Sequence, residues 1–223
     1  SADFLPARMG LAELLRKRGA VDEARAIYEA MQRQADSALP GAINLAGLLV
    51  DCKQFDQAER VARANLERHR DSPDLWLNLG SALMGQERFA EAREALERAA
   101  TLDPRHWRAL LQLATSIERS GDLAAAESRL YEALAVAPEA PEVHCALATL
   151  LRRQKAFGEA EAEFRRAIEL RPDYAVAWIN YAELLQRTSR LEAAAGALEH
   201  AVKSAPGMHE AHLNRGTVLM HLG

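Results

Sequence analysis

The chain has 223 residues, 49% of them hydrophobic and 27% charged, and its 28 basic and 32 acidic residues give a formal net charge of −4. This balance lacks the basic excess that DNA or RNA binding requires, and no apolar run is long enough for a membrane span. The cysteines Cys52 and Cys145 are too widely spaced to indicate a disulfide framework or a zinc site. We therefore expect a cytoplasmic protein with neither a nucleic-acid nor a membrane partner, although removal of a signal peptide stays open.

Few large side chains are present for the length of the chain. Aromatic residues make up only 5% of the sequence, whereas alanine is frequent. Alanine-rich sequences have high helix propensity and allow helices to pack closely in pairs. This composition indicates an internal helical repeat.

A repeat appears when the sequence is shifted by 34 residues, because it then aligns with itself without insertion or deletion. Residue 8 of each frame is Ala or Gly, residue 11 is Leu or Ile, and residue 20 is Ala in all six complete frames. The complete frames cover residues 5–38, 39–72, 73–106, 107–140, 141–174 and 175–208, and a partial frame covers 209–223. We therefore predict one repeat domain over residues 1–223.

Two helices are predicted in each frame, taken in order along the chain. Positions 4, 7, 8 and 11 share one helix face, and positions 17, 20, 24 and 27 share a face of a second helix. A turn is expected near position 15, which is occupied by Gly19, Lys53, Glu87, Gly121, Lys155, Ser189 and Gly223. Proline at position 32, which is expected to end the second helix, occurs as Pro104, Pro138, Pro172 and Pro206.

The third frame carries the sequence features of a known repeat family. It contains Trp76, Leu79, Gly80, Ala92 and Pro104 at the spacing of the tetratricopeptide-repeat signature. The resemblance extends over residues 5–222. It implies an all-α fold, a right-handed α-solenoid of six complete helix-turn-helix repeats plus one extra helix, with a concave inner surface.

The partial frame after His209 has two interpretations. Either its helix serves as a terminal cap, since Arg215 replaces the aliphatic residue of position 7, or the chain is cut within a repeat. The last residue, Gly223, occupies the turn position, and this favours the cut.

In this family the first helices line the concave groove with positions 2, 5, 6, 9, 12 and 13. Position 5 is an apolar row that includes Ile43, Leu77, Leu111, Ile179 and Leu213, together with Met9 and Cys145. Position 6 is a carboxamide row, interrupted by Ala146, that consists of Asn44, Asn78, Gln112, Asn180 and Asn214. A carboxamide offers both a donor and an acceptor, so such a row can bond the backbone of an extended peptide.

The carboxamide row resembles the asparagine ladder in the repeat arms of O-GlcNAc transferases. It is also similar to the backbone-gripping asparagines of peroxisomal targeting-signal receptors. The resemblance implies that these side chains bind peptide. The alternative is that asparagine is simply common at this position and binds water.

Arginines at positions 12 and 13 form a second candidate binding feature. The residues are Arg119, Arg152, Arg153 and Arg187. Their guanidinium groups suit an acidic peptide or a C-terminal carboxylate, although solvated surface charge is the simpler interpretation. The chaperone-type carboxylate clamp is not expected, because position 5 is apolar and position 9 has no asparagine.

Catalytic and metal-binding patterns are not apparent. His209 and His212 are separated by one helical turn, but the stretch lacks the H-E-x-x-H pattern, and His212 occupies the packing position 4. Neither phosphate-binding glycine motif is present, and Cys145 is interpreted as a small hydrophobic residue. We predict no catalytic residues, no metal site and no cofactor.

The sequence therefore predicts a non-enzymatic scaffold that holds an extended segment of a protein or peptide partner in its groove. Two alternatives stay open. One is the substrate-recognition arm of a larger enzyme such as an O-GlcNAc-type glycosyltransferase, and the other is self-assembly into a homo-oligomer through the solenoid ends. Because the peptide loses conformational freedom on binding, we expect weak, micromolar affinity.

Overall fold

The computed structural model describes residues 5–222, apart from the side chain of Ala35, and within that range it contains thirteen α-helices and no strand. The helices are α1 (Leu5–Lys17), α2 (Val21–Gln32), α3 (Ala38–Asp51), α4 (Phe55–Leu66), α5 (Pro73–Gly85), α6 (Phe89–Leu102), α7 (Trp107–Arg119), α8 (Leu123–Val136), α9 (Pro141–Arg153), α10 (Phe157–Leu170), α11 (Ala175–Arg187), α12 (Leu191–Ser204) and α13 (His209–Leu222). They form two compact units, one ending at Ser120 and one beginning at Gly121. The first unit holds α1 to α7, and the second holds α8 to α13.

The helix boundaries follow the 34-residue frame. Every second helix begins at position 17, and every first helix begins at position 1 except α3, which begins one residue earlier at Ala38. A short 3₁₀ turn at Ala35–Ser37 precedes α3. The predicted all-α fold of helix-turn-helix repeats is therefore confirmed, and each unit is a solenoid of such repeats.

The turn inside each repeat depends on a left-handed residue at position 15. The backbone φ is positive there in all six turns that the structure describes, at Gly19, Lys53, Glu87, Gly121, Lys155 and Ser189. At Glu87, for example, φ is 62°, and the next amide, from Arg88, donates to the Leu83 carbonyl at 2.9 Å. This bond satisfies a carbonyl at the end of the first helix while the chain reverses direction.

Proline at position 32 sets the length of the second helix. Where it is present, the helix runs to position 30 and the residue before the proline is not helical, as at Asp103 with φ −136° and ψ 93°. Proline disfavours the helical conformation for the residue before it, so the helix ends at this point. The two frames without this proline end their second helices two residues earlier, at Gln32 and Leu66.

Small residues at positions 8 and 20 let the two helices of a repeat pack closely. All six alanines at position 20 are completely buried. The two helices are in close contact at Gly80, since a methyl group built there would lie 2.5 Å from Cγ of Leu96. Larger side chains at these positions would push the paired helices apart.

Successive repeats within each unit are joined by polar contacts between position 21 and the turn of the next repeat. In the first unit, Glu59 accepts hydrogen bonds from Arg88 at 2.7 Å and Gln86 at 3.0 Å. In the second unit, Glu161 accepts a hydrogen bond from Arg190 at 2.7 Å. These contacts link only adjacent repeats, as expected for a solenoid.

In repeats three, five and six, an aromatic ring at position 4 connects the first helix to the segment before it. The Nε1 of Trp76 donates to the Arg70 carbonyl at 2.7 Å, and that of Trp178 donates to the Pro172 carbonyl at 2.8 Å. His144 Nε2 makes the equivalent bond to the Pro138 carbonyl at 2.9 Å. Histidine can replace tryptophan here because both rings present an N–H to the same carbonyl.

His144 also has a second, charged partner that the tryptophans lack. The His144 side chain is buried, and its Nδ1 lies 2.6 Å from Oε2 of Glu163 on α10. Both ring nitrogens therefore face acceptors, an arrangement that favours the doubly protonated ring. The hydrogen bond to Glu163 raises the pKa of His144 above its usual value, against the opposing effects of burial and of nearby Arg166.

We expect this contact to make stability depend on pH. Because the pKa of His144 is raised on folding, its stabilisation is complete below the unfolded pKa of about 6.5 and is lost as pH rises through the folded pKa. Urea unfolding across neutral and mildly alkaline pH should show this decline. Glu163→Gln should make this decline of stability with pH smaller, because an amide can donate to Nδ1 of a neutral ring. Parallel pH profiles of the two proteins would contradict a stabilising contact between charged His144 and Glu163. The raised pKa of His106, bonded to Asp74, contributes equally to both profiles.

Glycine at a left-handed turn position should give a more stable protein than a residue with a side chain. A non-glycine residue in this conformation carries a cost of about 1 kcal/mol that glycine avoids. We therefore expect Glu87→Gly to be more stable than Glu87→Ala by about that amount, measured by urea unfolding. Equal stability of the two variants would show that the turn imposes no such cost.

Candidate functional site

The first helices of repeats two to four lie side by side in the first unit, where α3 contacts α5 and α5 contacts α7. Their predicted binding residues are all partly accessible to solvent. We call these residues the first-unit row, and they are Ile43, Asn44, Leu77, Asn78, Leu111 and Gln112. The neighbouring position 9 carries the small residues Gly47, Ser81 and Thr115.

Two of the three amide groups of this row are held by the protein through their NH₂ groups. Asn78 Nδ2 on α5 donates to the Ile43 carbonyl on α3 at 2.9 Å, and this bond joins two repeats. Asn44 Nδ2 donates within its own helix to the Pro40 carbonyl at 2.8 Å. The Oδ1 atoms of both residues have no hydrogen-bond partner among residues 5–222, so each anchored amide has a free acceptor.

Close to Asn78, the surface is kept open by glycine. A methyl group built on Gly47 would lie 3.7 Å from Oδ1 of Asn78, which is ordinary van der Waals contact. A larger side chain at position 9 would reach over this amide. The small residue therefore leaves room beside Asn78 for another polypeptide.

The equivalent positions of the second unit differ widely in exposure. Cys145 and Ile179 are 4% and 5% exposed, whereas Leu213 on α13 is 71% exposed. Asn180 Nδ2 donates to Sγ of Cys145 at 3.7 Å, and Asn214 is half-buried. Burial raises the pKa of the Cys145 thiol to about 11, so this thiol stays neutral near neutral pH.

The predicted arginines differ in their surroundings. Arg119, in the first unit, lies over the Phe89 ring with its guanidinium carbon 5.9 Å from the ring centre. In the second unit, Arg152 is buried and forms an ion pair with Glu183, while Arg153 is exposed. Arg187 forms a second ion pair with Glu183, at 3.3 Å.

Glu183 therefore neutralises part of the predicted basic surface in the second unit. Burial alone would raise the pKa of its carboxyl group, but the bonds to Arg152 and Arg187 lower it below the usual value. Sequence reasoning did not assign Glu183 a role, although its position four residues before Arg187 is the spacing of a helical ion pair.

A pocket of about 460 Å³ adjoins the first-unit row at Ile43. It lies between α3 and the segment that joins α4 to α5. Its lining consists of Leu39, Ile43, Arg68, His69, Arg70, Asp71, Ser72, Pro73 and Asp74. Sequence reasoning missed this pocket, because most of its lining lies outside the first-helix positions, and the charged run from Arg68 to Asp71 was the only available signal.

Residues 5–222 contain neither a cluster of metal ligands nor a helix that could span a membrane. No group of three or more His, Cys, Asp or Glu side chains in this range could hold a metal ion. His212 directs its Nε2 at the Pro206 carbonyl, 2.9 Å away, in the same packing contact as His144. No helix in the described range combines the length and apolar character needed to cross a bilayer.

The fold and the paired-helix frame define a class of protein, the helix-turn-helix repeat proteins. Two family models described as tetratricopeptide repeat match the sequence, one over residues 4–38, 45–106, 77–137 and 111–175, and the other over residues 151–215. The chain belongs to the tetratricopeptide-repeat family. Repeats of this family generally mediate protein–protein interactions.

Several solved structures share the fold. TTC0263, a thermophilic tetratricopeptide-repeat protein of Thermus thermophilus, is 20% identical, with a TM-score of 0.74 over 81% of this chain and 98% of that chain. Pseudomonas aeruginosa pilF is 19% identical, with a TM-score of 0.71 over 96% and 98% of the two chains. YrrB, described as having an unusual peptide-binding site, is 20% identical, with a TM-score of 0.55 over 84% and 96%. A comparison with curated proteins gives no match.

The two anchored asparagines of the first-unit row should differ in their effect on stability. Asn78→Ala removes a hydrogen bond between two repeats, so we expect the free energy of unfolding to fall by about 1 kcal/mol. Asn44→Ala removes a bond within one helix and introduces a better helix former, so stability should be unchanged or slightly higher. Urea unfolding of both variants measures the difference, and equal losses would contradict the inter-repeat role of Asn78.

Proposed function

We propose that the first unit binds an extended segment of a partner polypeptide along the first-unit row. The observation that carries this proposal is the pair of anchored amides, Asn44 and Asn78, whose Oδ1 atoms are free to accept hydrogen bonds. They stand beside half-buried aliphatic side chains on adjacent first helices. The role is one of binding, and it includes no reaction.

The chemistry of the row suits a peptide backbone. An amide oxygen can accept a hydrogen bond from any main-chain N–H of the ligand, whatever side chain that residue carries. Adjacent packed helices are about 8–10 Å apart, and an extended chain advances about 3.3 Å per residue. Successive amides would therefore meet the ligand at about every third residue.

The aliphatic residues of the row supply a second source of affinity. Ile43, Leu77 and Leu111 are half-buried in the free protein, so a bound segment would cover their remaining apolar surface. Each hydrogen bond contributes only about 1 kcal/mol net, and the segment loses conformational freedom when it is ordered. These opposing terms support binding in the micromolar range.

The comparisons support the proposal at the level of the family. Tetratricopeptide repeats generally mediate protein–protein interactions, and YrrB is described as having a peptide-binding site. The partner of this chain is proposed from the chemistry of its own row. That chemistry fits an unstructured segment with some apolar side chains.

We expect loss of the amides to weaken peptide binding. Peptides selected from a phage-displayed random library on the unmodified chain serve as labelled probes, and affinity is measured by fluorescence anisotropy. The double variant Asn44→Ala/Asn78→Ala should bind about thirtyfold more weakly, which corresponds to the loss of two hydrogen bonds of about 1 kcal/mol each.

The matched control is Gln57→Ala/Asn65→Ala, which removes two carboxamides from the second helix α4. Gln57 bonds Arg25 of the preceding repeat, as Asn78 bonds its neighbour, and Asn65 bonds within its own helix, as Asn44 does. Circular dichroism at the assay temperature establishes that both double variants are folded. If both bind the probe as tightly as the unmodified chain, the row is not the peptide-binding site.

A further inference from the structure

The pocket beside Ile43 combines an apolar wall with a charged rim. Leu39 and Ile43 of α3 supply the apolar wall, and both side chains are half-buried. The rim is the segment from Arg68 to Asp74. Because Ile43 also belongs to the first-unit row, a segment bound along that row would pass this pocket.

The rim carries two arginines and two aspartates, and the two kinds of side chain differ in their partners. Asp74 is bonded to His106 at 3.1 Å, and Asp71 lies 3.9 Å from Arg98, so both carboxylates have a cationic or proton-donating partner. The guanidinium groups of Arg68 and Arg70 have no hydrogen-bond or ion-pair partner among residues 5–222. Two cations are therefore left for an external anion.

The rim is also held in place before any ligand binds. The Arg70 carbonyl accepts the Nε1 hydrogen bond of Trp76, and the buried Ser72 caps α5 by accepting from the Leu75 amide at 3.3 Å. Pro73 follows as the first residue of that helix. The backbone that carries the two arginines is thus ordered, which reduces the entropy lost on binding.

We propose that this pocket takes an apolar side chain of the bound segment whose sequence neighbour is aspartate or glutamate. The apolar side chain lies against Leu39 and Ile43, and the carboxylate pairs with Arg68 or Arg70. Guanidinium groups match carboxylates in charge and in geometry. The proposal rests on the proposed function and adds to it the kind of sequence that is recognised.

The pocket and the first-unit row recognise different parts of the bound segment. The amides bond the ligand backbone and do not distinguish one side chain from another. The pocket distinguishes ligands by charge, because a lysine or arginine beside the apolar residue would meet two arginines of the same sign. Specificity in this unit therefore lies at the edge of the row.

The test is selection from a phage-displayed random-peptide library on three forms of the chain. These are the unmodified chain, the charge-reversed Arg68→Glu/Arg70→Glu, and the control Arg18→Glu/Arg33→Glu, which reverses two exposed arginines outside the pocket. Peptides from the unmodified and control chains should be enriched in Asp or Glu next to Leu, Ile or Phe. The charge-reversed chain should lose this enrichment or favour Lys and Arg.

Affinities of a selected peptide complete the test. Replacing its acidic residue by the corresponding amide should weaken binding to the unmodified chain by about tenfold and leave binding to Arg68→Glu/Arg70→Glu without such a loss. Added salt should reduce the difference, because exposed charges are screened.

The outcomes separate the two proposals. If selected peptides depend on Asn44 and Asn78 but show no preference for acidic residues, the pocket proposal is overturned and the binding proposal stands. If enrichment of acidic residues is the same on the charge-reversed chain, the pocket proposal is likewise overturned. If no peptide is enriched on any form, both proposals fail.

Discussion

Close packing of the two helices in each repeat is the constraint on which the other features of this protein depend. Alanine at position 20 and a small residue at position 8 bring the backbones together, and at Gly80 there is no space even for a methyl group beside Leu96. The left-handed residue at position 15 then returns the chain along the first helix. Repeated at constant length, this geometry places first helices beside one another.

The proposed binding surface follows from that placement. In the first unit, positions 5 and 6 of α3, α5 and α7 place aliphatic and amide side chains next to one another. The bond from Asn78 to the Ile43 carbonyl both joins two repeats and orients the amide that would meet a ligand. In the proposed function, Asn78 therefore contributes to both stability and recognition, and its amide is oriented before a ligand binds.

The sequence was sufficient to predict the helices and the turns, because the spacing of small and apolar residues repeats without interruption. It could not predict that Cys145 and Ile179 would be buried while Ile43 and Leu77 stay half-exposed, since burial depends on how neighbouring repeats pack. Equivalent positions in a repeat are thus alike in backbone but not in accessibility.

Charge was the least predictable property of the candidate site. The arginines Arg152 and Arg187 were identified from their positions, but their shared partner Glu183 became evident only from distances between side chains. Arg68 and Arg70, which line part of the pocket, belong to a connecting segment, and helical periodicity makes no prediction for such a segment. Side-chain pairing between repeats is a property of the folded chain.

The central claim is that the first-unit row reads the backbone of an extended polypeptide. The most direct measurement compares the affinity of a selected peptide with those of analogues that carry a single backbone N-methyl group at successive positions. Each such group removes one N–H donor and leaves every side chain in place. The account predicts that methylation weakens binding by about fivefold at the few positions that face the amides and has little effect between them. Unchanged affinity at every position would contradict backbone recognition by Asn44 and Asn78.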